Sequence, residues 1–404
     1  MQLYIALMQF FGIDIEFFLF TLTLLGVAVF HQKTLQVALS GLTAVLLYKF
    51  FFTDFQILQH LQHEKSDLLN LFGLLVGFAI LAKHFEHSGV PAKLPKYLPD
   101  DWKGAFLLLV LVFILSSFLD NIAGAMIGGG VAHVVFKKKV HIGYIAAIVA
   151  ASNAGGSGSV LGDTTTTMMW IDGVSAFDVL HAYAAAIPAL FIFGIVASLQ
   201  QHKYQPILKD KIEGAKISWR RIGVCGMILA GAVTTNVLLE FPAVGVWVAI
   251  LVGSFIIKTE WHEAQLALPG TIFLISLVLC ASMMPVEHLP SASWQTAFGL
   301  GFISSVFDNI PLTKLALTQG GYDWGVLAYA VGFGGSMVWF GSSAGVAITT
   351  LFPEAKSVKN WVMSGWHITV AYVVSFFILL ATFGWHPHMP HKNTEVTVNL
   401  STVR

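Results

Sequence analysis

The sequence predicts an all-α polytopic membrane protein made of two inverted-topology repeats, and three observations support this fold class. First, 56% of the 404 residues are hydrophobic and only 11% are charged, whereas soluble domains carry about 25% charged residues. Second, apolar runs close to the roughly 20 residues that cross hydrocarbon recur along the whole chain. Third, two polar motifs occur twice in the same order. Each repeat is predicted to contain about five crossings, one re-entrant helical hairpin and one broken transmembrane helix.

Three ordinary crossings open each repeat and one further helix closes it. In the first repeat, residues 1–198, we predict them at 11–30, 35–52, 67–82 and 178–198. In the second repeat, residues 220–384, we predict them at 220–239, 243–257, 263–284 and 361–383. The more polar stretches between and after the repeats, 199–219 and 385–404, are predicted to be a cytoplasmic linker and a tail.

The first duplicated motif reads S-S-x-x-D-N-I and lies in the middle of two otherwise apolar segments, 104–136 and 294–320. Its polar residues are Ser116, Ser117, Asp120 and Asn121 in the first copy, and Ser304, Ser305, Asp308 and Asn309 in the second. Irregular backbone at membrane depth survives only inside protein or beside a cavity. We therefore predict that each segment is a helical hairpin that enters and leaves on one side, with the motif at its tip.

The second duplicated motif reads G-G-S-x4-G-[DS]-[TS] and predicts broken helices at 140–170 and 322–350. Its residues include Gly155, Gly156, Asp163 and Thr164 in the first copy, and Gly334, Gly335, Ser336 and Ser342 in the second. Inward-facing carbonyls and hydroxyls at such a break suit a hard cation such as sodium, while half-helix N-termini can hold an anion. Close helix packing is the alternative role for the glycines. Asn153 before the first break corresponds to Gly332, so the predicted site is not symmetric.

The number of crossings and the distribution of basic residues predict the orientation. Five crossings per repeat is an odd number, so the second repeat starts on the opposite face from the first. With the N-terminus outside, most of the 22 Lys and Arg residues fall in cytoplasmic loops, as the positive-inside rule requires. The first 30 residues lack a basic n-region and a cleavage site, so we expect a membrane helix there. The expected location is the cell inner (cytoplasmic) membrane.

Charged residues inside the predicted membrane segments are the candidate functional groups, since each costs roughly 2.5 to 3.5 kcal/mol there. Asp120, Asp163 and Asp308 are predicted to titrate, although capping of a broken helix end is an alternative role for each. Lys314 either extends its ammonium towards the surface or serves as a built-in counter-ion for Asp308. Cys225 and Cys280 have no metal-type spacing and are assigned to core packing.

At these residues the sequence resembles the NhaD-type sodium/proton antiporters of the ion transporter superfamily, which also contains arsenite pumps and citrate or dicarboxylate carriers. The resemblance covers most of the chain and is most specific at 152–166, 308–312 and 334–346. Carboxylate carriers of the superfamily tend to have a Ser-Asn-Thr type tip, whereas both tips here carry Asp beside Asn. The resemblance implies an ion pathway that contains Asp120, Asn121, Asn153, Asp163, Thr165, Ser304, Asp308 and Asn309.

These features together predict a secondary transporter that exchanges sodium or lithium for protons by alternating access, without a cofactor. Sodium is expected at Asp120, Asn121, Asp163, Asp308 and Asn309. The main alternative is a carrier of citrate or a related carboxylate, held by Lys314, the hydroxyls and the half-helix N-termini. An intramembrane aspartic protease is a remote alternative, because Asp163 lacks the preceding glycine of a G-x-G-D motif. Expected partners are membrane lipid, an inorganic cation and a second copy of the chain, but not nucleic acid.

Overall fold

The computed structural model describes residues 9–10, 13–30, 33–208 and 216–390. Within these ranges the regular structure is helical apart from two paired two-residue strands, β1 Gln9–Phe10 and β2 Ile13–Asp14. The predicted all-α class is confirmed. Six helices in the described part are long and apolar enough to cross a bilayer, so the chain is a multi-pass membrane protein. Residues 11–12 of the predicted first crossing, 209–215 of the linker and 391–404 of the tail lie outside the described ranges.

The first half of the chain follows the predicted order of elements. Its helices are α1 Ile15–Val29, α2 Thr34–Phe52, α3 Ile57–Glu86, α4 Val90–Tyr97, α5 Trp102–Ser116, α6 Asn121–Val135, α7 Ile142–Ser157, α8 Thr164–Ile171, α9 Ala176–Leu180 and α10 Tyr183–Tyr204. Helices α5 and α6 pack against each other and occupy the segment predicted as the first hairpin, 104–136. Helices α7 and α8 form the broken helix predicted at 140–170.

The second half repeats this order. Its helices are α11 Trp219–Leu239, α12 Pro242–Ile256, α13 His262–Ser282, α14 Trp294–Ser304, α15 Asn309–Gln319, α16 Trp324–Gly334, α17 Ser343–Leu351, α18 Val358–Ser364 and α19 Trp366–Phe383. Helices α14 and α15 occupy the segment predicted as the second hairpin, and α16 and α17 occupy the segment predicted as the second broken helix. The inverted orientation of the two halves and the one-sided course of the hairpins stay predictions.

A polar side chain begins the helix that follows each break. Asp120 caps α6, Asp163 caps α8 and Asp308 caps α15, and each carboxylate accepts a hydrogen bond from a backbone N–H of the first turn. Ser342 caps α17 in the same way. These oxygens satisfy backbone donors that the helix cannot pair internally.

Two predicted boundaries differ from the structure for identifiable reasons. Helix α3 begins at Ile57, whereas the crossing was predicted from residue 67 because the preceding stretch is polar. Glu64 in that stretch is buried and paired with Lys314, so its charge does not mark an aqueous loop. The last crossing, predicted at 361–383, is divided at Gly365 into α18 and α19.

Helices α7 and α16 lie at the centre of the fold and pack against each other. Nearly every residue of both helices is buried. Each hairpin packs on the broken helix of the other half, an exchange of partners in which α6 packs on α17 and α15 packs on α8. This exchange brings the two hairpin tips and the two helix breaks to the same region of the protein. A second, smaller core joins α1, α2 and α13, and both cysteines are buried.

Candidate functional site

The glycines of the helix breaks permit backbone contact with the hairpins. A β-carbon at Gly155 would collide with the carbonyl oxygen of Phe113 in α5, and one at Gly334 would collide with that of Gly301 in α14. Phe113 and Gly301 each lie three residues before the first serine of the S-S-x-x-D-N-I motif. The two copies therefore share the same local packing, and close approach explains these glycines.

Hydrogen bonds of the motif serines fix the first hairpin tip on the first break. Ser117 Oγ donates to the carbonyl oxygen of Gly155 at 3.1 Å. Ser116 Oγ lies 3.2 Å from Ser152 Oγ, and Ser152 Oγ in turn donates to the carbonyl of Asn121. In the second copy, Ser304 Oγ donates to the carbonyl of Val331 at 2.7 Å. These serines position the tips.

A chain of amide and hydroxyl groups links the two halves. The Asn121 amide donates from Nδ2 to Asn153 Oδ1 at 3.1 Å. Asn153 Nδ2 donates to Ser336 Oγ at 3.0 Å and to Ser342 Oγ at 3.1 Å. Asn153 thus connects the first hairpin tip to the second helix break, and the predicted binding residues Asn121, Asn153, Ser336 and Ser342 belong to one network.

Asp163 has one satisfied and one unsatisfied carboxylate oxygen. Oδ1 accepts from the backbone N–H of Thr165 at 3.1 Å, whereas Oδ2 is buried without a hydrogen-bond partner among the described residues. The whole residue is only 2% exposed. The hydroxyl of Thr165 is likewise buried without a partner in the described part of the chain. Because an unpaired buried charge is strongly unfavourable, a proton or a cation at Oδ2 would stabilise this carboxyl group.

Asp308 and Asn309 at the second tip differ in their hydrogen bonding. Asp308 Oδ1 accepts from the N–H of Ile310 at 3.0 Å, and Oδ2 accepts from Ser343 Oγ at 3.2 Å. Asn309 is 2% exposed, and its Nδ2 has no hydrogen-bond partner among the described residues. Ser305 Oγ donates back into its own helix, to the carbonyl of Phe302. Asn309 is therefore the residue of this tip with unused hydrogen-bonding capacity.

Several of these polar groups line one cavity of about 350 Å³, the central cavity. Its polar lining residues are Asp120, Asn121, Asp163, Thr164, Thr271, Asn309 and Ser343. Apolar residues of α3 and α13 complete its wall, and the described lining contains no lysine, arginine or histidine. Asp308 lines a neighbouring cavity of about 260 Å³, which shares Ser343 with the first. Two of the three predicted carboxylates therefore meet in one chamber, and the third lies beside it.

The central cavity borders a larger one on the side of α4. The larger cavity measures about 610 Å³ and shares Ala79, Ala82 and Ala123 with the central one. Charged residues, including Lys83 and Glu263, also line it. Together the two cavities form a route from the aspartates towards the end of α3 that bears Lys83.

Lys314 does not have the partner that its spacing from Asp308 suggested. Its Nζ lies 2.9 Å from Glu64 Oε2 and 3.9 Å from Asp172 Oδ1. Asp67 lines the same small pocket between α3, α8 and α15. Neither of the two roles considered for Lys314, a surface ammonium or a counter-ion for Asp308, matches this arrangement, because its ammonium belongs to a separate buried charge cluster. The sequence pattern missed this cluster because Glu64 and Asp172 lie far from Lys314 along the chain.

Ser343 and Gly332 were not among the predicted binding residues, yet both face the site. Ser343 donates to Asp308 and lines both cavities. A β-carbon at Gly332 would lie 3.6 Å from Asp163 Oδ2. Ser343 could have been found from its place beside Ser342 in the second motif. Gly332 carried only the signal that it replaces Asn153 in the repeat.

Comparison with known proteins identifies related transporters. Residues 5–334 match the family described as "Citrate transporter" (CitMHS). The chain is 26% identical over 373 residues to "Sodium/proton antiporter 1" of Arabidopsis thaliana, covering 78% of this chain and 62% of that protein. It is 24% identical over 343 residues to "Sodium/proton antiporter 2" of the same plant, covering 72% and 80%. It is also 24% identical over 295 residues to "Na(+)/H(+) antiporter NhaD" of Vibrio parahaemolyticus, covering 59% and 71%.

Proposed function

Because the chain belongs to the citrate transporter (CitMHS) family and is a secondary transporter, we propose that it exchanges sodium or lithium ions for protons. The relatives named as sodium/proton antiporters support this choice of substrates. The chain spans 62% of the length of Sodium/proton antiporter 1, so the exchange activity is inferred for this chain from its own site.

The charge of the central cavity carries the proposal. Asp120 and Asp163 line it, and its described lining contains no basic side chain. A citrate or dicarboxylate anion in this chamber would meet two carboxylates and no counter-charge, which is strongly unfavourable at low dielectric. Lys314, which could have held an anion, is paired with Glu64 instead. A small cation is the ligand that matches these groups.

Competition for the same carboxyl oxygens couples the two ions. Removal of a carboxyl group from water favours its protonated form, whereas a bound cation favours the ionised form. Loading sodium at Asp163 therefore releases a proton, and loading a proton releases sodium. The buried, unpartnered Oδ2 of Asp163 is suited to either ion. Thr164 and Asn309 add neutral oxygens of the kind that hard cations accept.

Alternating access would come from the paired hairpins and broken helices. In the proposed arrangement the two halves are inverted repeats, the hairpins are re-entrant from opposite faces, and the site lies where their tips meet. The route past Ala82 towards Lys83 would then open to the cytoplasm, and the Lys314 cluster would close the opposite side. We place the protein in the cytoplasmic membrane of the cell.

Purified protein in proteoliposomes tests this function. An imposed pH gradient is monitored by a fluorescent dye while sodium, lithium, potassium and citrate are added in turn. Sodium or lithium is expected to collapse the gradient, whereas citrate is expected to have no effect. Collapse by citrate, or uptake of labelled citrate, would show that the substrate has been wrongly assigned.

Asp163→Asn is the matching variant, because it keeps the shape and the helix cap but removes the titrating group. We expect its sodium-dependent signal to fall to that of protein-free liposomes. The control is Asp101→Asn at the exposed start of α5, where the carboxylate also caps a helix through the N–H of Lys103. Asp101→Asn should exchange sodium like the parent. Undiminished exchange by Asp163→Asn would refute the role of Asp163.

A further inference from the structure

Position 332 breaks the internal repeat at the ion site. Asn153 lies two residues before Gly155-Gly156, and Gly332 lies two residues before Gly334-Gly335. The two positions are therefore equivalent in sequence. They are equivalent in space as well, because Asn153 reaches across to the second helix break and Gly332 faces the first.

The first of the two equivalent networks is complete. Asn121 at the first tip donates to Asn153, and Asn153 donates to Ser336 and Ser342. Each group of this network has a partner, and the Asn153 side chain fills the space between the first tip and the second break. No charged residue takes part in this set of contacts.

At the equivalent positions of the other half, the central side chain is missing, because position 332 is a glycine. In the two motif copies, Asn309 corresponds to Asn121, and Ser157 and Asp163 correspond to Ser336 and Ser342. A β-carbon at position 332 would lie 3.2 Å from Ser157 Cβ and 3.6 Å from Asp163 Oδ2. An asparagine there could donate to Asp163 and accept from Asn309, as Asn153 does on the other side.

Without that side chain, two buried polar groups keep unused capacity. These are Asp163 Oδ2 and Asn309 Nδ2, and neither atom has a hydrogen-bond partner among the described residues. Both residues line the central cavity. Rotation of the Asn309 side-chain amide by 180° exchanges the positions of Oδ1 and Nδ2, so the oxygen can take the place of the nitrogen. A carboxylate, an amide oxygen and the Ser157 hydroxyl are ligands for a hard cation.

We propose that a sodium-sized cation binds between Asp163 Oδ2 and the Asn309 amide, in the space that a side chain at position 332 would fill. Gly332 then determines where the ion binds, and the Asn153 side of the repeat takes no ion because its own amide fills the equivalent position. This inference rests on the proposed cation exchange and adds the location of the site and the residue that defines it.

The test is Gly332→Asn, which supplies the amide that the second network lacks. We expect its affinity for sodium to fall roughly 100-fold, which corresponds to about 2.8 kcal/mol, because the tethered amide takes the place of the ion. Binding of radioactive sodium and sodium-dependent thermal stabilisation are measured on detergent-solubilised protein. Thermal stability in sodium-free buffer should equal or exceed that of the parent, since Asp163 gains a donor. A merely disruptive substitution would lower it.

Two further variants make the result decisive. Gly223→Asn in α11 is the control, because a β-carbon there would meet no described atom within 4 Å; it should bind sodium like the parent. If Gly332→Asn fails to fold, Gly332→Ala replaces it, and its methyl group should weaken sodium binding about tenfold. Sodium affinity within about threefold of the parent in the folded variant at position 332 would overturn the inference. Failure of the parent itself to bind or exchange sodium would instead refute the proposed function.

Discussion

Replacement of Lys314 by methionine should destabilise the protein strongly. Its ammonium lies 2.9 Å from Glu64 and 3.9 Å from Asp172, and the side chains of Lys314 and Glu64 are only 8% and 11% exposed. Methionine keeps most of the apolar volume but leaves Glu64 as a buried charge without its closest counter-ion. Removal of one partner from a buried pair costs about 3–5 kcal/mol. We therefore expect the free energy of unfolding to fall by about that amount.

The measurement is reversible unfolding in mixed micelles with increasing sodium dodecyl sulfate, followed by circular dichroism. Lys83→Met is the comparison, because the Lys83–Glu86 pair has a similar separation of 3.0 Å but side chains that are 26% and 55% exposed. An exposed pair contributes about 0–1 kcal/mol. The contrast between the two variants isolates the effect of burial on an ion pair.

A second substitution distinguishes the partners of Lys314. Lys314→Met combined with Glu64→Gln should recover much of the lost stability, since the unpaired charge is then removed. Lys314→Met combined with Asp308→Asn should recover none. A loss below about 1 kcal/mol for Lys314→Met, or recovery with Asp308→Asn in place of Glu64→Gln, would refute the assignment of this cluster.

Two further predictions concern backbone packing and pH. Gly155→Ala should lower the free energy of unfolding by about 1–3 kcal/mol, because its methyl group collides with a backbone carbonyl of the hairpin. The control Gly130→Ala meets no described atom within 4 Å, so it should be neutral or stabilising by up to about 1 kcal/mol. Thermal unfolding of both variants is the measurement, and equal effects would contradict the packing argument. The hydrogen bond from His288 to Asp14, at 2.6 Å, raises the pKa of His288 above its usual value, so the pair stabilises the fold fully below the ordinary histidine pKa and loses this effect as pH rises through the raised value. His288→Asn should therefore lower the melting temperature most at acidic pH, and a difference from the parent that stays constant across pH would contradict the pairing.

Much of the site could be predicted from sequence because its residues are contiguous in two repeated motifs. Charged and amide residues inside apolar segments mark functional or capping positions, and the repetition of Asp-Asn tips marks them twice. Helix breaks were found at both tips and both glycine motifs for the same reason, since Gly-Gly and Asp favour helix ends. The helical class followed from composition, because only helices and closed barrels satisfy the backbone within a bilayer.

The roles of individual residues depended on contacts between distant parts of the chain. Sequence spacing suggested Asp308 as the partner of Lys314, but the structure brings Glu64 to it from α3. The same contact explains why α3 begins ten residues earlier than its hydropathy indicated. Ser343 belongs to the second duplicated motif, but its hydrogen bond to Asp308 and its place in both cavities depend on contacts between α15 and α17.

The amino-acid sequence was sufficient to predict the helical class, the membrane location and helix breaks at three aspartates, and the structure confirms the class and these three helix starts. The inverted duplication stays a prediction. These conclusions follow from local composition and from repetition, which need no knowledge of packing. Tertiary contacts were needed to learn that Asp163 Oδ2 has no partner among the described residues, that Lys314 pairs with Glu64, and that Gly332, the counterpart of Asn153, faces Asp163. Those outcomes depend on distances between atoms far apart in the chain, and hydrophobic pattern carries no information about them.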